Sequence, residues 1–136
     1  EPYCELAGWA ASFEVQPDDG RGYYSAPTAG AVAQAITKAL ERAGVSPTDV
    51  GYVSAHGSGV RTHDQAETEG IKQAFGAHAK ALKISAIKPQ MGNCMAASSG
   101  FEAAVCAYAL KHGEVPGTVS LETPDVEGGC DLDYLP

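Results

Sequence analysis

Apolar positions follow two rhythms along this chain. Ala29, Val32, Ala33, Ile36, Leu40 and Ala43 recur at helical spacing on one face. Pro27-Thr28 opens that helix, Gly44 closes it, and Ser46-Pro47-Thr48-Asp49 forms the turn beyond. Val50 to Ala55 reads as a short buried strand, followed by the loop His56-Gly57-Ser58-Gly59. A second helix is predicted from Asp64 to Phe75, with Ala66, Ile71, Ala74 and Phe75 inward. Leu82 to Ile87 predicts another strand, Lys88 to Met95 a glycine-containing loop, and Ala97 to His112 a small-residue helix stopped by Gly113. Cys4 to Val15 predicts a first strand with an irregularity at Gly8, Gln16 to Ser25 a loop, and Val115 to Leu121 a last strand. The final fifteen residues are acidic and turn-rich. The order β-α-β-α-β-α-β predicts an α/β layered fold. Polar loops follow the second and third strands, at the edge where such folds collect ligands.

Length and composition narrow this. The 136 residues suit one domain, 1–136, and 44% hydrophobic residues suffice for a core. No apolar run approaches the roughly 20 residues of a membrane helix, so no membrane partner is expected. The net charge of -8 argues against a nucleic-acid binder, whose footprint would be basic. Cysteines at 4, 94, 106 and 130 match no zinc or disulfide framework, and Cys106 lies in an apolar helix as a small core residue. A reducing cytoplasm is the expected compartment. The chain opens Glu1-Pro2-Tyr3 without an initiating Met and ends at Pro136 without a closing element, so a truncated fragment is expected.

The chemistry concentrates in the two loops. His56, between a buried strand and a Gly-rich loop, suits general acid/base work or hydrogen bonding to an oxyanion. On spacing alone a structural strand-end histidine fits better. Lys88 directly follows an apolar strand, and a partly buried Lys needs a carboxylate partner or a shifted pKa. Glu102, on the small-residue helix, stands three after Ser99, the spacing of a capping box. Asn93 offers an amide donor at the end of the second loop. Taken alone, Lys88 and Asn93 fit a solvated Lys and a turn Asn better. Asp64 and Glu67 stand three apart on one helical face, where first-turn acids also favour the helix dipole. His63, His78 and His112 read as surface or capping groups, and no metal-ligand spacing is present.

Together the loops resemble the elongating β-ketoacyl synthases of fatty acid and polyketide synthesis. Those enzymes carry Ala-His-Gly-Thr-(Ser/Gly)-Thr, then Asn-Asp-x-x-Glu, and later Lys-Ser-x-x-Gly-His. This chain has Ala55-His56-Gly57-Ser58-Gly59-Val60, then His63-Asp64-Gln65-Ala66-Glu67, and Lys88-Pro89-Gln90-Met91-Gly92-Asn93. Val45-Ser46-Pro47, Phe75-Gly76 and Cys130-Asp131-Leu132-Asp133-Tyr134-Leu135-Pro136 also match. The Ser58-Gly59 variant leans towards aromatic polyketide ketosynthases. The resemblance covers nearly the whole chain.

It implies the C-terminal half of a thiolase-like fold, a layered mixed sheet with helices whose last strands are missing. It also implies decarboxylative Claisen condensation, in which an acyl chain passes from acyl carrier protein to a cysteine and a decarboxylated malonyl unit attacks it. That cysteine belongs to the N-terminal half, in a Thr-Ala-Cys setting absent here. By the resemblance His56 would assist decarboxylation and stabilise the enolate, and Lys88 would order the site. Ser58 would help bind the phosphopantetheine arm. Asp64, Glu67 and Glu102 would support the structure, with a Lys88–Glu102 pair. No cofactor is implied beyond the phosphopantetheine of the carrier protein. Implied partners are acyl carrier protein, the N-terminal half, and a second subunit in a homodimer or ketosynthase heterodimer. Few basic residues could dock a carrier protein, Arg61, Lys80 and Lys83 being the candidates.

Two positions depart from the pattern. Asn93 stands where the second histidine would be, and Val60 replaces a threonine. An amide donates a hydrogen bond but exchanges no proton at neutral pH. Chain-initiating ketosynthases work with Cys, His and Asn, whereas chain-length factors lose catalytic residues at these loops. The resemblance therefore keeps a condensing enzyme, a non-condensing chain-length-factor-like subunit and a thiolase-fold binding module open, with the first ahead. Asn93 is expected to point into the pocket of His56.

Overall fold

A computed structural model describes residues 2–14 and 27–136. Four helices and two strands run in the order α1 (Ala29–Ala43), β1 (Tyr52–Ser54), α2 (Arg61–Phe75), β2 (Lys83–Ser85), α3 (Lys88–Met91) and α4 (Ser98–His112). Short 3-10 turns lie at Pro47–Asp49, Gly76–Ala81 and Met95–Ala97. The layered α/β architecture expected from the pattern is present.

The caps explain the boundaries. Thr28 Oγ1 accepts from Ala31 N at 3.1 Å at the start of α1, and Gly44 ends it with φ of 66°. Helix α2 begins at Arg61, three residues before the expected Asp64, because the backbone N–H groups of His63 and Asp64 already bond to Val60 O. Helix α4 ends at Gly113, again left-handed at φ 73°.

β1 and β2 are parallel, with Val53 opposite Ile84 and Ser54 opposite Ser85. Tyr134 forms an isolated parallel bridge to Ile84 on the other edge of β2. The core gathers around this sheet: Ile71, Phe75, Ala79, Leu82, Ile84 and Leu132 are buried, with Ile36, Leu40 and Val53 packed against them. Each of the buried Ile, Leu and Phe side chains contributes roughly 1.5–3 kcal/mol. Ala66 and Ala74 are only half-buried, while Thr68 and Gly70, which the pattern passed over, are buried. A methyl group on Gly70 would lie 2.5 Å from Val32 Cβ, so α1 and α2 approach too closely there for any side chain.

Three expectations are corrected. The described part of the first expected strand, Cys4 to Glu14, makes no ladder. Its alternation serves a helix instead: Gly8, Ala10 and Ser12 are half-buried, Gly8 lies against α1, and Ser12 Oγ donates to Ala31 O at 2.6 Å. Trp9 and Phe13 point outward. Val15 and the Gln16–Ser25 loop lie outside the described residues. Val115 to Leu121 is no strand, since Pro116, Gly117 and Ser120 (φ 65°) interrupt extended pairing; its backbone reaches across through Thr118 N, to Leu135 O at 2.8 Å, and through Gly117 O, which accepts from Gln90 Nε2 at 2.9 Å. The second loop, Lys88 to Met95, is partly helical, its first four residues forming α3.

Helix α4 has no single apolar face, and only Ser98 and Ala109 of it are buried. Phe101, Tyr108 and Leu110 are exposed. Among the described residues no helix is long and apolar enough to cross a membrane.

Candidate functional site

The parallel register decides where the chemistry sits. Ser54 opposes Ser85, so His56 and Lys88, two and three residues beyond, emerge at the same sheet edge. Two acids of α2 shape the first loop. Glu67 takes the backbone N–H of His56 on Oε1 at 2.7 Å and that of Gly57 on Oε2 at 3.0 Å. Asp64 Oδ1 accepts from Ser58 N at 3.0 Å and Ser58 Oγ at 3.2 Å, while Ser58 Oγ accepts from Val60 N at 3.2 Å. Asp64 and Glu67 are therefore loop anchors. Gly57 is required: its φ is 47°, and a Cβ would stand 2.3 Å from Ala86 Cβ.

The second loop closes on the first through Lys88. Its side chain is 8% exposed. Its Nζ donates to His56 O at 2.5 Å and to Glu102 Oε1 at 2.7 Å. The Lys88–Glu102 pair forms, and the capping rival fails because α4 already begins at Ser98. The peptide groups flanking His56 are thus held on both sides, its N–H by Glu67 and its C=O by Lys88. His56 itself is exposed.

Asn93 is exposed and bonds within its own loop. Its Oδ1 accepts from Met95 N at 3.0 Å and Ser98 Oγ at 3.4 Å. Met95 follows with φ of 53°, an uncommon conformation for a side-chain-bearing residue. The NH₂ end of Asn93 makes no hydrogen bond among the described residues, so a donor remains for a ligand.

A cleft of about 480 Å³ opens beside the first loop. Ala55, Ile71, Ile84 and Tyr134 are among its lining residues, together with Gly57, Asp64, Glu67 and Asp125. His56, Lys88 and Asn93 do not line it. Arg61 reaches across its rim to Asp125, Nε to Oδ2 at 2.8 Å and Nη2 to Oδ1 at 3.4 Å.

The expected basic docking residues are engaged with acids. Arg61 pairs with Asp125, Lys80 with Asp131 at 2.6 Å, and Lys83 with Asp133. They offer no unpaired cationic patch. The Lys72 and Lys80 ammonium groups hold the Asp131 carboxyl down to about 2, Lys72 being the stronger cause. Burial pushes the Tyr134 phenol well above its ordinary value, and burial likewise raises the Cys106 thiol. The pattern missed Thr68 and Tyr134, whose hydroxyls share a hydrogen bond in the wall of the cleft. Among the described residues no group of His, Cys, Asp and Glu could hold a metal ion.

Comparison with known proteins identifies the arrangement. Residues 3–122 match the family described as "Beta-ketoacyl synthase, C-terminal domain". The chain belongs to the β-ketoacyl synthase family. It is 42% identical over 134 residues to the tetracenomycin polyketide synthase ketoacyl synthase alpha subunit of Streptomyces glaucescens, covering 98% of this chain and 30% of that protein. It is 37% identical over 139 residues to 3-oxoacyl-[acyl-carrier-protein] synthase 2 of Synechocystis sp., covering 98% of this chain and 31% of that protein. In fold it matches the ishigamide ketosynthase/chain length factor with a TM-score of 0.85 at 30% identity, over 98% of this chain and 31% of that one. A type II polyketide ketosynthase bound to its acyl-carrier protein and a hexaketide (AntDE:AntF) matches with a TM-score of 0.85 at 34% identity and the same coverage. The chain spans about 30% of the length of the curated ketosynthases it matches. The thiolase-like C-terminal fold implied by the motifs is the one observed.

Proposed function

We propose that this chain is the C-terminal part of a β-ketoacyl-acyl carrier protein synthase of polyketide or fatty acid biosynthesis, and forms a single domain within it. The observation that carries this reading is His56 held by its backbone between Glu67 and the Lys88–Glu102 pair. Substrates would arrive on the phosphopantetheine of an acyl carrier protein in the cytoplasm, a compartment that suits four free cysteines.

The reaction class is decarboxylative Claisen condensation. The malonyl carboxylate leaves as CO₂, and the electron pair of the broken C–C bond passes to the thioester enolate. The enolate carbon attacks an acyl thioester on a cysteine, and the cysteine thiolate leaves. His56 and the NH₂ group of Asn93 would donate hydrogen bonds to the enolate oxygen. Lys88 keeps the His56 carbonyl in place, and Ser58 would contact the pantetheine arm. The nucleophilic cysteine would come from an N-terminal half of the same protein, with a like subunit or a heterodimeric partner completing the assembly. Residues 1–136 alone would be inactive.

A non-condensing subunit is the second reading. It is favoured by Val60, which offers no hydroxyl, and by Asn93, whose Oδ1 is committed to Met95 and Ser98. Release of CO₂ from malonyl carrier protein by the intact protein separates the two. His56→Ala should reduce that release by about 10²–10³-fold, the size of losing one oxyanion donor. An intact protein that releases no CO₂ would overturn the condensing reading.

A further inference from the structure

A polar contact in the wall of the cleft has no role in the chemistry above. Thr68 is 3% exposed, and its hydroxyl shares a hydrogen bond with the Tyr134 hydroxyl and reaches Cys130 Sγ at 3.6 Å. Thr68 directly follows Glu67 in α2. Tyr134 bridges in parallel to Ile84, the central residue of β2, with Leu135 N donating to Ile84 O at 2.9 Å and Ile84 N donating to Asp133 O at 3.1 Å. The contact therefore ties α2 to the sheet at the helical turn from which Glu67 reaches the His56 and Gly57 amides. Successive helix residues are about 100° apart round the axis, so fixing Thr68 inward fixes the direction in which Glu67 projects. A slip of the helix at this point would lengthen both Glu67 hydrogen bonds.

We propose that the Tyr134 hydroxyl is a positioning group for His56, acting through Thr68 and Glu67. The Tyr134 hydroxyl bonds to Thr68 and makes no hydrogen bond to His56. It sets where Glu67 holds the loop, and the loop sets where the imidazole stands. The inference rests on the proposed function only for its kinetic consequence, since the placement of the loop can be read without turnover.

The test uses the intact ketosynthase with Tyr134→Phe, Thr68→Val and the double variant. Amide hydrogen exchange over residues 55–58 reads the loop directly. Each single variant should speed exchange there roughly three- to tenfold, the worth of one intramolecular hydrogen bond, and leave the α1 peptides unchanged. The double variant should match Thr68→Val, because that substitution already removes the bond to Tyr134 along with the weaker one to Cys130. In the condensing reading kcat for malonyl decarboxylation should fall by a similar factor with KM unchanged. Unchanged exchange over residues 55–58 would overturn the proposal, as would additive effects of the two substitutions. Faster exchange in a protein that releases no CO₂ would keep the positioning role and remove the condensing reading instead.

Discussion

Replacing Glu102 by Ala tests the contact that joins the two loops. Lys88 Nζ lies 2.7 Å from Glu102 Oε1, with side chains 8% and 17% exposed. At that distance the gross attraction is about 6 kcal/mol at an effective dielectric of about 20, before desolvation is subtracted. Removing one partner of a buried pair typically costs about 3–5 kcal/mol, since the other charge is left uncompensated. Lys88 keeps one acceptor, His56 O, and Glu102 retains some exposure, so about 3 kcal/mol is expected. With a urea slope of about 2 kcal/mol/M, the unfolding midpoint of the cooperative unit containing this domain should drop by about 1.5 M. Lys88→Met with Glu102→Leu should recover most of that loss, because a packed apolar pair of similar volume carries no uncompensated charge. Urea titration by circular dichroism measures all three proteins. A loss under about 1 kcal/mol for Glu102→Ala would place the pair among exposed ion pairs and refute the reasoning. A double variant no better than the single would refute it as well.

Gly57→Ala should cost more than about 2 kcal/mol and disorder the first loop, since it adds a clash with Ala86 to a positive φ; thermal unfolding and hydrogen exchange over residues 55–58 check this. Asp131, with a folded pKa of about 2 against an ordinary 3.8, contributes stability that is fully present above pH 4 and lost as pH falls towards 2; Asp131→Asn should flatten the stability profile in that window. Asn93→Ala in the intact protein should slow malonyl decarboxylation by about 10²–10³-fold, whereas Asn93→His should preserve or raise it. Radiolabelled CO₂ release measures both; an intact protein that releases no CO₂ and is changed by neither substitution would mark a site out of use.

Much of the fold was legible because its signals are local. Thr28, Gly44 and Gly113 bracket helices through capping geometry that depends on a few neighbouring residues. The loop motifs were legible as motifs, and the Lys88–Glu102 pair followed from the family resemblance together with the need of a buried cation for a carboxylate. What failed is non-local. Cys4 to Glu14 has strand-like alternation, but whether an extended segment pairs depends on what lies beside it, and here that is α1. Thr68 looked like an ordinary helical residue, because its partner stands 66 residues away. The basic residues Arg61, Lys80 and Lys83 read as free charges until the fold placed an aspartate against each.

The way His56 is held has an evolutionary consequence. Its two restraints, from Glu67 and from Lys88, engage the main chain, which every residue type shares. The scaffold is thus largely blind to which side chain occupies position 56. An ancestor could exchange the imidazole for an inert group without refolding the loop or sacrificing the surrounding architecture. Gain and loss of chemistry in such a lineage would be separated by single substitutions on a conserved frame, so paired subunits could diverge into working and silent members while remaining the same shape.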